Sequence, residues 1–213
     1  MGPDPSAMTV REKAAGTMRY HHGELREALL TAAEMELTEK GEDGFSLRST
    51  AKRAGVSHAA PAHHFKDVTA LLQGLAQRGF ERLTATMKAE QANAGDDPEA
   101  LYVAAGVGYI RFAAENPALF QLMFGGRSHH GVPTEFAKAA DASFSVLVNA
   151  VARLRGADAL KAEEGWRDVA AAWMMLHGYA HLAIGGKLGW LTGQPFDRQR
   201  PVIADLARRA LRL

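Results

Sequence analysis

The sequence predicts an all-α protein of about nine helices, and three observations lead to this prediction. No segment of the 213 residues alternates apolar and polar side chains with the period of two that a half-buried strand requires. Apolar residues instead recur every three or four positions over most of the chain, which is the period of one helix face. Residues that cap or end helices, such as Gly41, Asp67 and Pro98, separate these periodic segments.

The composition is that of an ordinary globular protein. Hydrophobic residues make up 47% and charged residues 23% of the chain, and the formal net charge is +1. There is no cysteine, which excludes a disulfide scaffold and any cysteine zinc site. No apolar run approaches the roughly 20 residues that span a bilayer, and the N-terminus lacks the basic-then-apolar order of a signal peptide. We therefore expect a cytoplasmic protein without a membrane partner.

The N-terminal residues 1–19 are expected to form a disordered arm. They are polar, contain two prolines and two glycines, and show no sustained helical period. The next segment, from residue 22 to about residue 40, predicts a helix that Gly41 ends. Its apolar residues recur every four positions: Leu25, Leu29, Ala33 and Leu37.

Residues 46–54 and 58–64 have the layout of a helix-turn-helix. Ala51 is a small residue where a second helix can cross closely, Gly55 supplies the turn, and Ser57 has the N-cap position of the second helix. From residue 44 to residue 66 there is no acidic side chain, whereas four are basic: Arg48, Lys52, Arg53 and Lys66. A charge field of one sign attracts a phosphate backbone, so the motif predicts DNA binding. The alternative is that it merely joins two packed helices.

The helix-turn-helix interpretation also predicts which residues contact double-stranded DNA. Arg48 would bind phosphate from the first helix, the first turn of the second helix would point backbone N–H groups at phosphate, and His58 and His63 have the longest side chains near base edges. Basic residues of the arm could also lie along DNA, although a plain tail is the favoured interpretation. The predicted contacts are Arg48, Ser57, His58, Ala59, Ala60, Pro61, His63, His64 and Lys66.

Six further helices are predicted from Asp67 onward. Asp67 has the N-cap position of the first, which runs to a turn cluster at 93–98, and the break at Asn116-Pro117 ends the second. A glycine-containing loop, 125–133, follows the third. The helices after the turn cluster are expected over 98–115, 118–124, 134–155, 161–189 and about 198–212.

The last two of these helices are the candidate dimerisation surface. The helix 161–189 has a long apolar stripe, and its small residues would permit close approach of another helix. The alternative is that the stripe packs only within its own subunit. The stripe consists of Val169, Trp173, Leu176, Ala180, Ile184 and Leu188.

The sequence offers little catalytic chemistry. His177 and His181, four residues apart, would project from one helix face within reach of one metal ion, but no Asp or Glu lies one turn away to complete a site. A structural or ligand-contacting role is favoured over metal ligation. No nucleophile turn, phosphate loop or dinucleotide fingerprint is present, and we expect no catalytic residue, cofactor or metal.

Two groups of motifs point to one family. The first comprises Tyr20-His-His-Gly-Glu-Leu-Arg, the Ala-Gly-Val-Ser turn at 54–57 and His63-His64-Phe65. The second comprises Glu115-Asn-Pro-Ala-Leu-Phe and Trp173-Met-Met-Leu-His177-Gly178. In this order they resemble the tetracycline-repressor (TetR) family of bacterial transcriptional regulators, and the last is similar to the Trp-x-x-x-His-Gly signature of one ligand-domain subfamily.

The resemblance implies an arm at 1–19, a DNA-binding domain at 20–66 and a ligand-binding and dimerisation domain at 67–213. It implies a homodimeric repressor that binds a palindromic operator and is released from it by a small apolar or amphipathic effector. It also implies a ligand chamber among the later helices, although filling of an ordinary core is the plainer account of the same aromatic and methionine residues. The expected ligand contacts are Tyr109, Phe112, Met123, Trp173, His177 and His181.

The chain departs from the family's usual pattern beside the recognition segment. Pro61 and Ala62 stand where a β-branched or leucine residue and a tyrosine are usual, and Val68 replaces a common lysine. Pro61 would loosen the first turn of its helix, and the other two changes remove phosphate contacts. The alternative function is therefore a TetR-like small-molecule-binding protein with weak or lost DNA binding. An enzyme with a histidine metal site is a third hypothesis.

Overall fold

All regular structure in the described part of the chain is helical. The computed structural model describes residues 22–42, 44–125, 131, 133–156 and 158–213, so the predicted arm lies outside the described residues. The prediction of an all-α fold is confirmed, with nine α-helices among these residues. They are α1 (His22–Lys40), α2 (Leu47–Arg53), α3 (Val68–Ala92), α4 (Pro98–Glu115), α5 (Pro117–Phe124), α6 (Thr134–Arg155), α7 (Glu163–Ile184), α8 (Gly189–Thr192) and α9 (Phe196–Ala210).

Aspartate caps fix the starts of the two central helices. The Asp67 carboxylate accepts the backbone N–H of Ala70 at 2.7 Å at the start of α3, as the sequence predicts. At the start of α4 the Asp97 carboxylate accepts the N–H of Ala100 at 2.8 Å. Each cap satisfies a donor that has no partner inside the helix, and so it defines the first turn.

The second helix of the helix-turn-helix differs from the prediction. Residues 58–64 do not form an α-helix; a 3-10 helix covers only Ala60–His63, and its N-cap Ala59 makes no side-chain hydrogen bond. The expected capping role of Ser57 is therefore wrong. Pro61 explains the change, because it has no N–H to offer to the Ser57 carbonyl, which instead accepts the N–H of Ala60 at 3.0 Å.

Arg53 fixes the angle between α1 and α2. Its guanidinium donates to the Glu36 carboxylate at 2.6 Å and forms an ion pair with Glu39 as well. Glu36 is buried, and a hydrogen bond from Lys40 at 2.6 Å, together with that from Arg53, holds the pKa of the Glu36 carboxyl at about 2 despite the burial that opposes this shift. The carboxylate thus stays charged, and it anchors the first helix of the motif to α1.

Helix α4 forms the centre of the core. Every residue from 101 to 110 is buried, because α3, α6, α7 and α9 all pack against this helix. Gly108 allows the closest approach: a Cβ atom at this position would lie 2.7 Å from the Met87 Cα on α3. Two helix backbones can come so near only where one residue has no side chain.

The predicted apolar stripe of α7 packs largely within its own subunit. Val169, Leu176 and Ala180 are all buried, since α7 lies against α4 and α9. The predicted helix 161–189 also ends earlier than expected, at Ile184, and the short α8 follows it. Trp173 is the exposed member of the stripe, and four large apolar side chains outside the stripe are also exposed on α7: Trp166, Met174, Met175 and Leu182.

The close approach of α3 and α4 predicts that Gly108→Ala will destabilise the fold. The added methyl group would meet backbone atoms, which cannot move aside, so we expect a loss of about 1–3 kcal/mol in the free energy of unfolding. Denaturant unfolding followed by circular dichroism measures it. Gly189→Ala is the control, because nothing lies within 4 Å of its added Cβ, and its effect should stay within about 0.5 kcal/mol. Equal stability of the two variants would contradict the close contact.

Candidate DNA-binding surface and ligand cavity

The structure places most of the predicted DNA contacts on one accessible segment. Ala60 and His64 are half-buried, whereas Pro61 is buried and faces the protein interior, so the prediction that Pro61 contacts DNA is wrong. Because the Pro61 ring is buried, it cannot also reach a base edge. The remaining predicted contacts are exposed or partly exposed: Arg48, Ser57, His58, Ala59, His63 and Lys66.

The positive charge of this surface comes from three side chains. Arg48, Lys52 and Lys66 are accessible, and none of them takes part in the ion pairs found among the described residues. Arg53 is different, because Glu36 and Glu39 neutralise it. Unpaired cations are free to bind phosphate, whereas Arg53 has a structural role instead.

A cavity of about 260 Å³ lies between α3, α4, α6 and α7. Aromatic and aliphatic side chains make up nearly all of its lining, as is usual for a small-molecule site. Tyr109 and Trp173 are predicted ligand contacts, and both line it. The full lining is Phe80, Met87, Tyr102, Ala105, Gly106, Tyr109, Phe124, Ala140, Asp141, Ser143, Phe144, Leu147, Trp173 and Leu176.

One hydrogen bond joins α4 to α7 at the cavity wall. The Tyr109 hydroxyl oxygen lies 2.7 Å from Nδ1 of His177. Either group can be the donor in this bond, depending on which ring nitrogen of the neutral His177 carries the proton. Burial raises the pKa of Tyr109, and burial followed by the neighbouring His181 lowers the pKa of His177. Both shifts favour the neutral forms.

The imidazole of His177 is enclosed by rings from α5 and α7. Its centroid lies 4.7 Å from that of Phe124, 5.6 Å from that of Phe120 and 4.5 Å from that of His181. These contacts remove water from one side of the imidazole, which is the physical cause of its lowered pKa. His177 therefore positions Tyr109 from outside the cavity lining.

The other predicted ligand contacts are not part of the lining. Phe112 and Met123 are fully buried core residues, and the Met123 sulfur fills the space beside Gly79 on α3. His181 is exposed, and among the described residues its ring lies against those of His177 and Phe120. The helical spacing predicts that each of these side chains lies on the same helix as a lining residue. It does not show which side of that helix faces the cavity.

Helix α6 supplies lining residues that the sequence does not single out. Asp141 and Phe144 lie one turn apart at the accessible side of the cavity, and the Phe144 ring lies 5.3 Å from that of Trp173. The sequence indicates these lining residues only by one feature: the Asp141 carboxylate stands alone among alanine, serine and phenylalanine residues of a long predicted helix. Only the fold reveals that this turn of α6 faces α7.

The described residues offer neither a metal site nor a membrane segment. No three histidine, aspartate or glutamate side chains among them come close enough together to hold a metal ion. None of the described helices is both long and apolar enough to cross a membrane.

A basic helix-turn-helix surface beside a larger helical domain is the arrangement of a bacterial DNA-binding regulator, and comparison with known proteins identifies the class. Residues 29–75 match the family described as bacterial regulatory proteins, tetR family, and residues 102–206 match the tetracyclin repressor-like C-terminal domain. The comparison with curated proteins gives no match.

Solved structures give the same result. A protein with unknown function from Rhodococcus sp. RHA1 is 38% identical, with a TM-score of 0.74, and the alignment covers 90% of this chain and 97% of that chain. The TetR family transcriptional regulator PfmR from Thermus thermophilus is 20% identical, with a TM-score of 0.62 and coverage of 86% and 97%. A TetR family regulator from Marinobacter aquaeolei is 18% identical, with a TM-score of 0.65 and coverage of 87% and 94%. The last two show the fold alone.

The chain therefore belongs to the tetR family of bacterial regulatory proteins. It is a DNA-binding transcriptional regulator. The match to the tetR family of bacterial regulatory proteins covers the helix-turn-helix, and the match to the repressor-like C-terminal domain covers most of the helices around the cavity. Regulators of this family are not enzymes, and this excludes the hypothesis of a histidine metal enzyme.

The environment of His177 predicts a pH dependence of stability. Its folded-state pKa is lowered from the usual 6.5, so below about pH 6.5 the unfolded chain takes up a proton that the folded chain does not. Stability that is present at neutral pH is lost as the pH falls through this range. Between about pH 7 and about pH 5 the melting temperature of the wild type should therefore fall more than that of His177→Asn, whose side-chain amide can donate to or accept from the Tyr109 hydroxyl but does not titrate. Parallel pH profiles would contradict the assignment.

Proposed function

We propose that the protein is a ligand-responsive repressor, released from a palindromic operator by a small apolar or amphipathic molecule. The observation that supports this proposal is the 260 Å³ apolar cavity, bordered by Trp173 and Tyr109, in the domain that follows the helix-turn-helix. The domain limits of 20–66 and 67–213, the Trp-x-x-x-His-Gly subfamily and a cytoplasmic location belong to the same proposal.

Helix α3 connects the cavity with the DNA-binding segment. It begins at Val68, directly after the helix-turn-helix, and Phe80 on this helix lines the cavity. Two residues further on, Arg82 pairs with Glu34 of α1 and donates to the Asn116 side chain between α4 and α5. A ligand that packs against Phe80 therefore touches the helix that also holds α1.

Release of DNA requires two states of the dimer with different affinities for ligand. The ligand favours the state in which its cavity contacts are better, and the shift in population cannot exceed this difference in affinity. In the favoured state the two recognition segments would no longer match successive major grooves, so the dimer would leave its operator.

The dimer surface that we propose is the exposed side of α7, not the stripe predicted from the sequence. Met174 at the centre is 68% exposed, Trp190 of the following α8 is 74% exposed, and Gly178 has open space around it. Large apolar side chains at this exposure favour burial against a partner, and the open position permits close helix approach. The surface is formed by Trp166, Ala170, Met174, Gly178, Leu182 and Trp190.

The second candidate function is a TetR-like small-molecule-binding protein with weak DNA binding. The shortened recognition element favours it, because the 3-10 helix Ala60–His63 presents fewer side chains to a groove than an α-helix would. Ala62 is exposed but has no group that can donate to phosphate. Affinity for DNA decides between the two functions.

The repressor proposal is tested by footprinting the purified protein on the promoter DNA of its own gene. We expect a protected palindrome and an affinity that falls steeply between about 50 and 200 mM salt, because phosphate contacts dominate. Arg48→Ala should weaken binding to all sequences by roughly tenfold, whereas His63→Ala should alter the preference among sites. Arg167→Ala is the control, since this exposed residue of α7 has the same charge.

A gain-of-function variant makes the same test sharper. Ala62→Tyr combined with Val68→Lys restores two phosphate-binding groups, so it should tighten binding if those contacts limit affinity. If the wild type shows no sequence preference at any salt concentration and the double variant binds DNA no more tightly, the repressor function is wrong. The second candidate, a small-molecule-binding protein with weak DNA binding, would then replace it.

The dimer surface predicts that Met174→Glu will produce monomers. A stable dimer would bury roughly 2,000 Å² or more, and a charge at the centre of that area would be left without water or a partner. Sedimentation velocity at micromolar concentration measures the state. Met35→Glu, on α1 and also exposed, should remain dimeric. A wild type that sediments as a folded monomer would contradict the proposed surface.

A further inference from the structure

We propose that the cavity selects organic cations: a single positive amine or ammonium group attached to a small aromatic or apolar body. This inference rests on the proposed ligand-binding function and names the chemical class of the ligand. Asp141 is its basis, because it is the one charged side chain among the described residues that line the cavity.

Asp141 lies where a ligand would place its polar end. The residue is exposed, so its carboxylate is at the accessible side of the cavity and not in its interior. One turn further along α6, Phe144 packs against Trp173, and both rings are also partly exposed. A ligand whose apolar body fills the cavity would therefore have its other end beside a carboxylate and two aromatic rings.

The negative charge of Asp141 is not neutralised by the described residues. None of the ion pairs found among them includes Asp141. The nearest basic side chain along α6, Lys138, instead binds the Glu135 carboxylate at 2.8 Å. A cationic ligand would gain from this free carboxylate, whereas a carboxylate ligand would be repelled by it.

Other polar groups of the lining do not favour either sign of charge. The Tyr109 hydroxyl is hydrogen-bonded to His177, and the Tyr102 hydroxyl donates to the carbonyl of Ala207 at 2.8 Å. Ser143 contributes a neutral hydroxyl, which can donate or accept equally well. The sign of the preferred ligand charge is therefore left to Asp141 and to the aromatic rings.

The aromatic rings reinforce the choice of a cation. The faces of aromatic rings carry a partial negative charge and attract ammonium groups within about 6 Å. The volume of about 260 Å³ is just below the range of about 300–1,000 Å³ that is usual for ligand pockets, so the body should be no larger than a single ring with a short chain. The rings that support this argument are Phe80, Tyr109, Phe124, Phe144 and Trp173.

A charge series on one scaffold tests the proposal. Phenylbutylammonium, phenylbutanol and phenylbutanoate share a ring and a chain but differ in the charge of the end group. Isothermal titration calorimetry at low salt measures their affinities for the full-length protein. We expect the cation to bind roughly fivefold tighter than the alcohol, and the anion to bind most weakly.

Two variants assign the preference to one residue. Asp141→Asn keeps the shape of the side chain and removes its charge, so the cation and the alcohol should then bind within about twofold of each other. Glu164→Gln removes one negative charge from an exposed residue of α7 that lies outside the lining and outside the ion pairs found among the described residues, and it should keep the wild-type preference.

Three further outcomes would each overturn the proposal. Equal affinities for the three probes, or tightest binding of the anion, would show a ligand-binding cavity without cation selectivity, and the proposed function would stand. Loss of the preference for the cation in both variants would show that the preference depends on the net charge of the protein and not on Asp141. No binding of any probe to the wild type would count against the cavity as a ligand site, and so against ligand response, whereas the operator experiment would still test DNA binding separately.

Discussion

The enclosure of α4 is the constraint on which the rest of the structure depends. Residues 101–110 are buried all round, so neighbouring helices must approach closely on several sides. Gly108 permits contact with the backbone of α3, and Gly106 lies against Leu176 of α7, which is 3.0 Å from the position of an added Cβ. The same enclosure forces the hydroxyl groups of Tyr102 and Tyr109 to find partners inside the protein, which they do in Ala207 and His177.

The cavity and the Tyr109–His177 hydrogen bond are two results of this packing. Small residues of α4, such as Ala105 and Gly106, lie opposite large rings from α3, α6 and α7, and the space between them is not filled. The hydrogen bond between Tyr109 and His177 then holds one wall of that space in a fixed orientation. An apolar ligand would replace empty volume with contacts without breaking this hydrogen bond.

Much of the fold could be predicted from the sequence, because caps and periodicity are local signals. Asp67 indicates the start of α3, and the order of helices follows from the apolar spacing. The site was predicted less well, since the side of a helix that faces a cavity depends on all its neighbours. Phe112 and Met123 share their helices with lining residues but point into the core, whereas Asp141 looks like an ordinary surface charge. The sequence predicts that Pro61 loosens one turn, but the predicted recognition helix 58–64 is reduced to a 3-10 helix over Ala60–His63.

Helix α3 joins the DNA-binding segment to the cavity, so the proposed effect of a ligand on DNA binding has to pass through this helix. Phe80 touches the cavity and Arg82 holds both α1 and the Asn116 junction, so a rotation of this turn of α3 would move all three together. Arg53 in turn fixes α2 to α1 through a buried carboxylate. The helix-turn-helix should therefore move as a unit with α1. Under the proposed ligand response, the element expected to change is the junction of α1, α3 and α5 rather than the recognition segment itself.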